Sequence, residues 1–421
     1  MPRRRGRVPR EVLRSILRSF RMPRRRLAHR SSCTHSRLGR HRTRRERLSP
    51  RTLHRVAPTS GELMTALPTS TASIDAEWLT TALRHGGAID ANTEVSTVNV
   101  SNMGAGIGFM GEVGRLNVTY AGGSGPATVI CKIPTQDAHV RGLLGPARVF
   151  EREARFYLDV APMLDVVPRS HSVMANFDTD DYVLVLQDLG HLRVGDQSVG
   201  VNASEAHAAV KALARFHARF WKSPDLDRIA WMPEINAEGM KIGSEIYRAS
   251  LPGFLQVFAH AVDADMVPVM ERFADNVHQL LDRFAAMPTT IVHFDYRLDN
   301  LFFGPNDDVW MIDFQACSKG GGAFDLGYFI SQSVPVDIRK QEEESLLRTY
   351  HSELVARGVD DYSLAQLTED YRVGVLYGWI IPVYAVGTLD SSSERAMALW
   401  TEVIKRAQSA MRDHHVADLM N

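Results

Sequence analysis

The chain has 421 residues, more than one compact domain usually holds, and 44% of them are hydrophobic against 23% charged. That apolar share is ordinary for a globular protein and excludes a wholly disordered chain. The formal net charge of zero hides a division. Residues 1–63 hold twenty arginines, no lysine and three acidic residues (Glu11, Glu46 and Glu62), so of the 49 basic and 49 acidic side chains, 29 basic and 46 acidic remain for residues 64–421.

A tail of about +17 therefore precedes a body of about −17. The tail has few apolar groups to bury and its like charges repel, so it is expected to be disordered in isolation. Four readings compete: an upstream extension with translation starting at Met64 (the favoured one), a targeting peptide, a binder of nucleic acid or anionic membrane through nonspecific charge, or a segment folded back on the acidic body. No secretory apolar core is present, and residues 12–20 form only a short apolar run.

The folded body is expected to begin near Ser73. Residues 73–87, SIDAEWLTTALRHGG, predict a helix capped by Ser73, with Asp75 and Glu77 in its first turn and Gly86-Gly87 as its stop. Residues 104–113 read GAGIGFMGEV, in which Gly106, Gly108 and Gly111 match a glycine-rich phosphate loop. Glycine lets backbone amides approach phosphate oxygens closely. The alternative is a glycine-rich hairpin. Alternation after the loop (Val113, Leu116, Val118, Tyr120) predicts a strand, so the glycines do not open a helix as in a dinucleotide-binding fold.

Residues 127–133, ATVICKI, predict a buried strand interrupted by Lys132. A lysine there is costly unless its charge is matched, and a phosphate and a glutamate would match it. Residues 149–162 have helical spacing, ended by Pro162, and offer Glu151 and Glu153 on different faces; Glu153 is favoured as the partner and Glu151 remains open. Residues 182–189, YVLVLQDL, predict a strand running into a connector in which Gln187 and Leu189 hold the place of an adenine contact. Residues 202–221 predict a helix with Asn202 and Glu205 as a capping box, on which His217 reads as a hydrogen-bonded core histidine.

The most informative stretch is residues 291–314, IVHFDYRLDNLFFGPNDDVWMIDF. Asp295, Asn300 and Asp313 are three side chains that phosphoryl transfer from ATP requires: a carboxylate beside the acceptor hydroxyl, then an amide oxygen and a second carboxylate for magnesium. Strands are expected at 290–292, 301–303 and 309–312, so that Asn300 and Asp313 fall near opposite ends of one hairpin. Taken alone, H-x-D with a nearby Asn also suits a structural His-Asp pair. The most apolar window, residues 373–389, is short for a membrane span and is interrupted by Pro382, so it reads as a buried helix pair. Three cysteines (Cys33, Cys131 and Cys317) supply no disulfide framework, which fits a reducing cytosol, and the sixteen histidines show no zinc spacing.

Taken in order, VICKI, EREARFY, VLQDL, LARFHARFW, HFDYRLDN, MIDFQ and FDLGYFI make the chain resemble the aminoglycoside phosphotransferase and choline kinase group, closest to its ecdysteroid-kinase-like branch, over roughly residues 100–335. The resemblance implies an α+β, bilobal protein-kinase-like fold with a small antiparallel-sheet lobe (64–190) and a mostly helical lobe (191–421). It implies ATP and Mg2+ as cofactors and phosphorylation of a small-molecule hydroxyl. Asp295 would be the catalytic base, Asn300 and Asp313 metal ligands, Lys132 the α/β-phosphate ligand paired with Glu153, and His293 and Asp325 supports of the catalytic loop. The departures matter. Asp313 is followed by Phe314-Gln315, and only a short glycine-rich stretch separates it from Asp325, so no regulated activation loop and no protein substrate are expected. No specific nucleic acid and no transmembrane segment are expected, and the cytoplasm is the expected location. The competing readings are a catalytically silent nucleotide-binding protein and an anionic-polymer binder acting through the tail. An acceptor pocket is expected within 230–290 and 345–410, where Trp231, Tyr247, Trp379 and Tyr384 are either wall or core. The branch suggests a bulky apolar alcohol, whereas the acidic large lobe would suit a cationic acceptor.

Overall fold

A computed structural model of the chain describes residues 66–103, 110–145, 148–241, 243–385 and 393–420. The arginine-rich residues 1–63, Cys33, Gly106 and Gly108 lie outside the described residues. The described part is an α+β structure: a five-stranded antiparallel sheet followed by a mostly helical body.

The first helix, α1 (Ala76–His85), is capped by Asp75 and not by Ser73. Asp75 Oδ1 accepts the Trp78 N–H at 2.8 Å, while Ser73 belongs to a separate 3-10 turn over Thr71–Ser73. The carboxylate two residues nearer the apolar stripe wins because it reaches the free amide three residues on. Trp78, Leu79, Ala82 and Leu83 then lie against the sheet.

The sheet contains β1 (Glu94–Met103), β2 (Gly111–Ala121), β3 (Thr128–Pro134), β4 (Ser170–Asn176) and β5 (Asp181–Gln187), in spatial order β1-β2-β3-β5-β4. Alternation divides its two faces. Val129, Cys131 and Ile133 of β3, with Val183 and Val185 of β5, join the cluster under α1. Tyr182, Leu184 and Leu186 point the other way, into the large core shared with α2 (Val149–Arg155). Lys132 falls between Cys131 and Ile133, so the same period that buries its neighbours under α1 sends it to the opposite face. Gly111 pairs with Pro134, and a Cβ there would sit 2.4 Å from the Ile133 carbonyl oxygen. Close approach to β3 is thus reason enough for glycine at this position.

A short strand β6 (Arg193–Val194) leads into the helical body, built on α3 (Ala203–Phe220), α4 (Gly243–Val257), α5 (Val267–Ala286), α6 (Ala323–Ser333), α7 (Val336–Ala356), α8 (Leu364–Gly378), α9 (Ile380–Ala385) and α10 (Glu394–Asp413). Asn202 and Glu205 form the reciprocal capping box of α3. Between α5 and α6 lie β7 (Thr289–Val292), β8 (Leu301–Phe303), β9 (Val309–Met311) and β10 (Ser318–Gly321). β7 pairs with β10, and β6, β8 and β9 form a second small sheet. Every residue of α6 is buried. Its Gly327 meets Gly374 of α8 so closely that a Cβ would lie 2.4 Å from the facing backbone, which locks α6 in place. Among the described residues, no helix is long and apolar enough to cross a membrane.

Candidate active site

Lys132 Nζ lies 2.6 Å from Glu153 Oε1 and 3.1 Å from Asp313 Oδ1. Three elements meet there: β3, helix α2 and the segment after β9. Burial alone would lower the Lys132 pKa, but the facing carboxylates of Asp313 and Glu153 outweigh it and hold the amine above its ordinary value. Glu153 shows the opposite balance. Burial raises its carboxyl despite the Lys132 charge and the hydrogen bond that Tyr182 Oη donates to Oε2 at 2.7 Å. Glu151 points elsewhere and pairs with Arg148 and Arg155.

Helix α2 also reaches the segment after β9. It widens into a π turn over Phe156–Val160, and Phe156 stacks on Phe314 with centroids 3.7 Å apart. Such turns are frequent at functional sites. Buried Arg152 donates to the carbonyls of Ala316 and Cys317, both at 3.3 Å. The position of Glu153 is thus tied to the backbone carrying Asp313.

Asn300 and Asp313 stand at the two chain ends of the β8–β9 hairpin, and antiparallel pairing brings those ends together. Leu301 pairs with Met311, and the Ile312 N–H donates to the Asn300 carbonyl at 3.0 Å. Asn300 Nδ2 donates to both the backbone oxygen and Oδ2 of Asp295, each at 2.9 Å. Asp295 and Asn300 are therefore in direct contact, and Asp313 is next to the same strand end.

Two residues here have left-handed backbone. Phe294, just before Asp295, and Asp313 both have φ of 70°. Neither is glycine, and a bulky residue in this region is strained. What holds Phe294 is visible. The Asp325 carboxylate, fully buried on α6, accepts the N–H of His293 at 2.6 Å and of Phe294 at 2.9 Å. Asp325 is itself held by His217 Nε2 at 3.1 Å, and Tyr350 donates to His217 Nδ1 at 2.6 Å. His293 Nε2 donates to the Ile312 carbonyl at 3.0 Å, and its Nδ1 accepts the Asp295 N–H at 3.3 Å. His293 therefore touches both the Asp295 and the Asp313 segments without facing outward.

Some polar partners were not singled out from the sequence. Arg297 Nε lies 3.3 Å from Asp295 Oδ1, and its Nη1 donates to Asp299 at 2.6 Å. Burial works against its charge, yet the Asp295 and Asp299 carboxylates hold it above its ordinary value. Its place two residues past Asp295, in the motif itself, was a signal available in the sequence. Gln197 receives the Leu298 N–H on Oε1 at 3.0 Å and gives its own N–H to Asp299 at 3.1 Å. A glutamine about a hundred residues away carries no such signal. Tyr328 Oη, on α6, lies 3.4 Å from Asp295 Oδ1.

Gln187 and Leu189 sit at the end of β5. The Gln187 N–H donates to the Arg169 carbonyl and the Leu189 carbonyl accepts the Leu192 N–H, both at 2.8 Å, so those two backbone groups are already engaged. Tyr247 and Trp379 are fully buried core residues, and Trp231 donates to Asp159 at 2.8 Å. Cys131 and Cys317 are buried free thiols, each pushed up to about 12 by burial.

Among the described residues, no group of three or more His, Cys, Asp and Glu converges to hold a metal ion. The oxygen donors present are one carboxylate (Asp313) and one carboxamide (Asn300). That set fits a hard cation taking most of its ligands from phosphate and water, and not a cage built wholly of protein.

A model of the ecdysteroid kinase-like family matches residues 105–358, more than half of the chain. The chain belongs to the ecdysteroid kinase-like family. The matched span contains Lys132, Glu153, His293, Asp295, Asn300, Asp313 and Asp325. No curated protein matches the chain. Among solved structures, a choline kinase from Cryptosporidium parvum is 11% identical, with 76% of this chain and 91% of that chain covered and a TM-score of 0.48. The GDP complex of an aminoglycoside 2′-phosphotransferase mutant is 14% identical, with 75% and 92% covered and a TM-score of 0.47. A choline kinase from Streptococcus pneumoniae is 15% identical, with 76% and 94% covered and a TM-score of 0.43.

Proposed function

We propose that the chain is an ATP-dependent phosphotransferase that moves the γ-phosphate of ATP to a hydroxyl of a small molecule. The observation that carries this reading is Lys132 held between Glu153 and Asp313, at 2.6 and 3.1 Å. A partly buried lysine with one wholly buried and one part-exposed carboxylate is arranged to keep its charge and offer it outward. Membership of a kinase-like family supports the same conclusion.

In this reading residues 64–190 form the lobe covering the nucleotide, and 191–421 the lobe receiving the acceptor. Lys132 binds α- and β-phosphate oxygens while Glu153 holds it in place. Gly111, the last glycine of the glycine-rich motif, opens β2 beside Pro134, Gly106 and Gly108 lie outside the described residues, and the connector at Gln187 and Leu189 borders the adenine. Asn300 and Asp313 would hold Mg2+, which when bound neutralises charge on the triphosphate. Asp295 accepts a hydrogen bond from the acceptor hydroxyl, aligns its oxygen on the γ-phosphorus and takes the proton as the new P–O bond forms and the bond to the β-phosphate oxygen breaks, releasing ADP. His293 and Asp325 keep the Asp295 segment in its strained form. Positioning and charge neutralisation supply most of the catalysis. The short link from Asp313 to Asp325 runs directly through β10 into α6, which leaves little room for a peptide and favours a small acceptor.

The test is magnesium-dependent binding of ATP, followed by a coupled turnover screen over sugars, amino alcohols, aminoglycosides and sterol-like alcohols. Asp313→Ala is expected to abolish magnesium-dependent nucleotide binding. Unchanged binding would remove its metal role, and binding without turnover on any acceptor would favour a silent nucleotide-binding protein.

A further inference from the structure

α6 does more than hold the backbone before Asp295. Asp325 and Tyr328 are three residues apart on this helix and so share a face. Asp325 fixes the main chain at His293 and Phe294. Tyr328 presents its hydroxyl to the Asp295 carboxylate itself, 3.4 Å from Oδ1. Its ring is buried and lies flat near Phe324, which in turn stacks on Phe294 at 4.5 Å. The hydroxyl is thus carried on a body with no room to swing. Asn300 holds the other carboxylate oxygen, Oδ2, at 2.9 Å.

We propose that Tyr328 is a positioning residue of the phosphotransfer reaction, its phenol hydroxyl joining Arg297 Nε (3.3 Å) on Asp295 Oδ1 while Asn300 holds Oδ2, so that the plane of the carboxylate is set by all three. This rests on the reading of Asp295 given above. The contact is long for an O–H···O bond, as is common before a site is loaded, and it tightens when substrate fills the site. A buried tyrosine in a helix is ordinarily core packing. Here the ring does pack, but the hydroxyl is spent on the one carboxylate that faces the acceptor.

Tyr328→Phe in the full chain removes one oxygen and keeps the ring. Two measurements decide. In a crystal structure of the variant, the Asp295 side chain is expected to turn away from its wild-type rotamer or split between two, with Asn300 unmoved; an Asp295 that stays put overturns the proposal. In turnover of MgATP, with water or a screened alcohol as acceptor, kcat is expected to fall roughly tenfold, the value of a hydrogen bond to a charged group, with the KM for MgATP unchanged. A change in KM alone, or none in kcat, overturns it. A wild-type chain that turns over no MgATP would refute the proposed function instead, and the crystallographic arm would still decide whether Tyr328 sets Asp295. A wild-type crystal structure needs no variant to fold: if it places Tyr328 Oη beyond hydrogen-bond reach of Asp295, the proposal falls.

Discussion

Two buried charge clusters in this chain invite comparison. One is Lys132, Glu153 and Asp313. The other lies in the helical body, where Arg339 donates to Glu343 at 3.0 and 3.1 Å, to Ser409 at 3.1 Å and to Asp413, while Tyr371 donates to Glu343 at 2.6 Å. Each pairs a cation with a glutamate: Arg339 and Glu153 are buried, Lys132 and Glu343 mostly so. The glutamates are pushed in opposite directions. Burial wins at Glu153 and raises it, whereas at Glu343 burial is overcome by His414, Arg339 and Tyr371, and the carboxyl is lowered. Each cluster has a part-exposed carboxylate, Asp313 in one and Asp413 in the other, and a positive-φ residue at hand, Asp313 itself at 70° and His415 at 48°. What separates them is the balance at the glutamate: Glu343 is compensated by its partners, whereas burial still wins at Glu153. Buried charge and positive φ therefore do not mark a site by themselves; an under-compensated carboxylate beside a lysine does.

The largest expected difference between the two is in turnover. Asp295→Ala should cost roughly 10²–10⁴ in kcat, the usual worth of a positioned general base, while nucleotide binding and the melting temperature stay close to wild type. If transfer to an acceptor survives that change, the base lies elsewhere. Arg339→Ala is the matching cut in the other cluster. It leaves Glu343 with Tyr371 and His414 as partners and lets the part-exposed Asp413 turn to water, so it should destabilise the fold by about 1–3 kcal/mol, measured by chemical denaturation, without changing nucleotide affinity in the folded fraction. A specific loss of nucleotide affinity would tie Arg339 to the nucleotide site as well.

Lys132→Ala should do some of both. It leaves Glu153 buried with only Tyr182 as a partner while Asp313 can turn to water, so a stability loss of about 1–3 kcal/mol is expected. Nucleotide affinity should drop as well. Lys132→Met, which refills the volume, should recover stability and not binding; recovery of both would make Lys132 a packing residue.

Much of this site was legible in the sequence, and what was missed has a physical pattern. A lysine inside a β-branched run could be placed because strand alternation and the cost of a buried charge together demand a partner. Glu153 and Glu151 could be told apart only weakly, since helical spacing assigns faces but not which face meets β3; the structure separates them through Arg148 and Arg155. The Ser73 cap failed because a serine and an aspartate two residues apart both suit a helix start, and only the free Trp78 N–H decides. Arg297 and Tyr328 stood in quoted motifs, but their meaning depends on side-chain direction. Gln197 could not be found at all, because its partners, Leu298, Asp299 and Ser333, are brought to it by the tertiary fold alone.

The smallest expected effect lies far from either cluster and tests the sheet that carries Lys132. His171 sits where the β4–β5 register shifts between Ser170 and Ser172, and its Nδ1 is buried with no hydrogen-bond partner among the described residues. Burial, helped by the nearby Arg169 charge, pushes its pKa down from 6.5 to about 4. The folded chain thus favours the neutral ring. Above the ordinary value both folded and unfolded chains carry it neutral and it contributes nothing to pH dependence. As pH falls from about 6.5 toward about 4, the unfolded chain takes up the proton first and stability declines; below about 4 both states are protonated and this decline stops. Discounted for the partial exposure of the ring, the loss is about 2 kcal/mol across the window. His171→Gln should flatten the slope of denaturation free energy against pH between those limits while leaving the neutral-pH value near wild type. An unchanged slope would mean that the bulge opens to water and that this edge of the sheet is looser than the strand bearing Lys132.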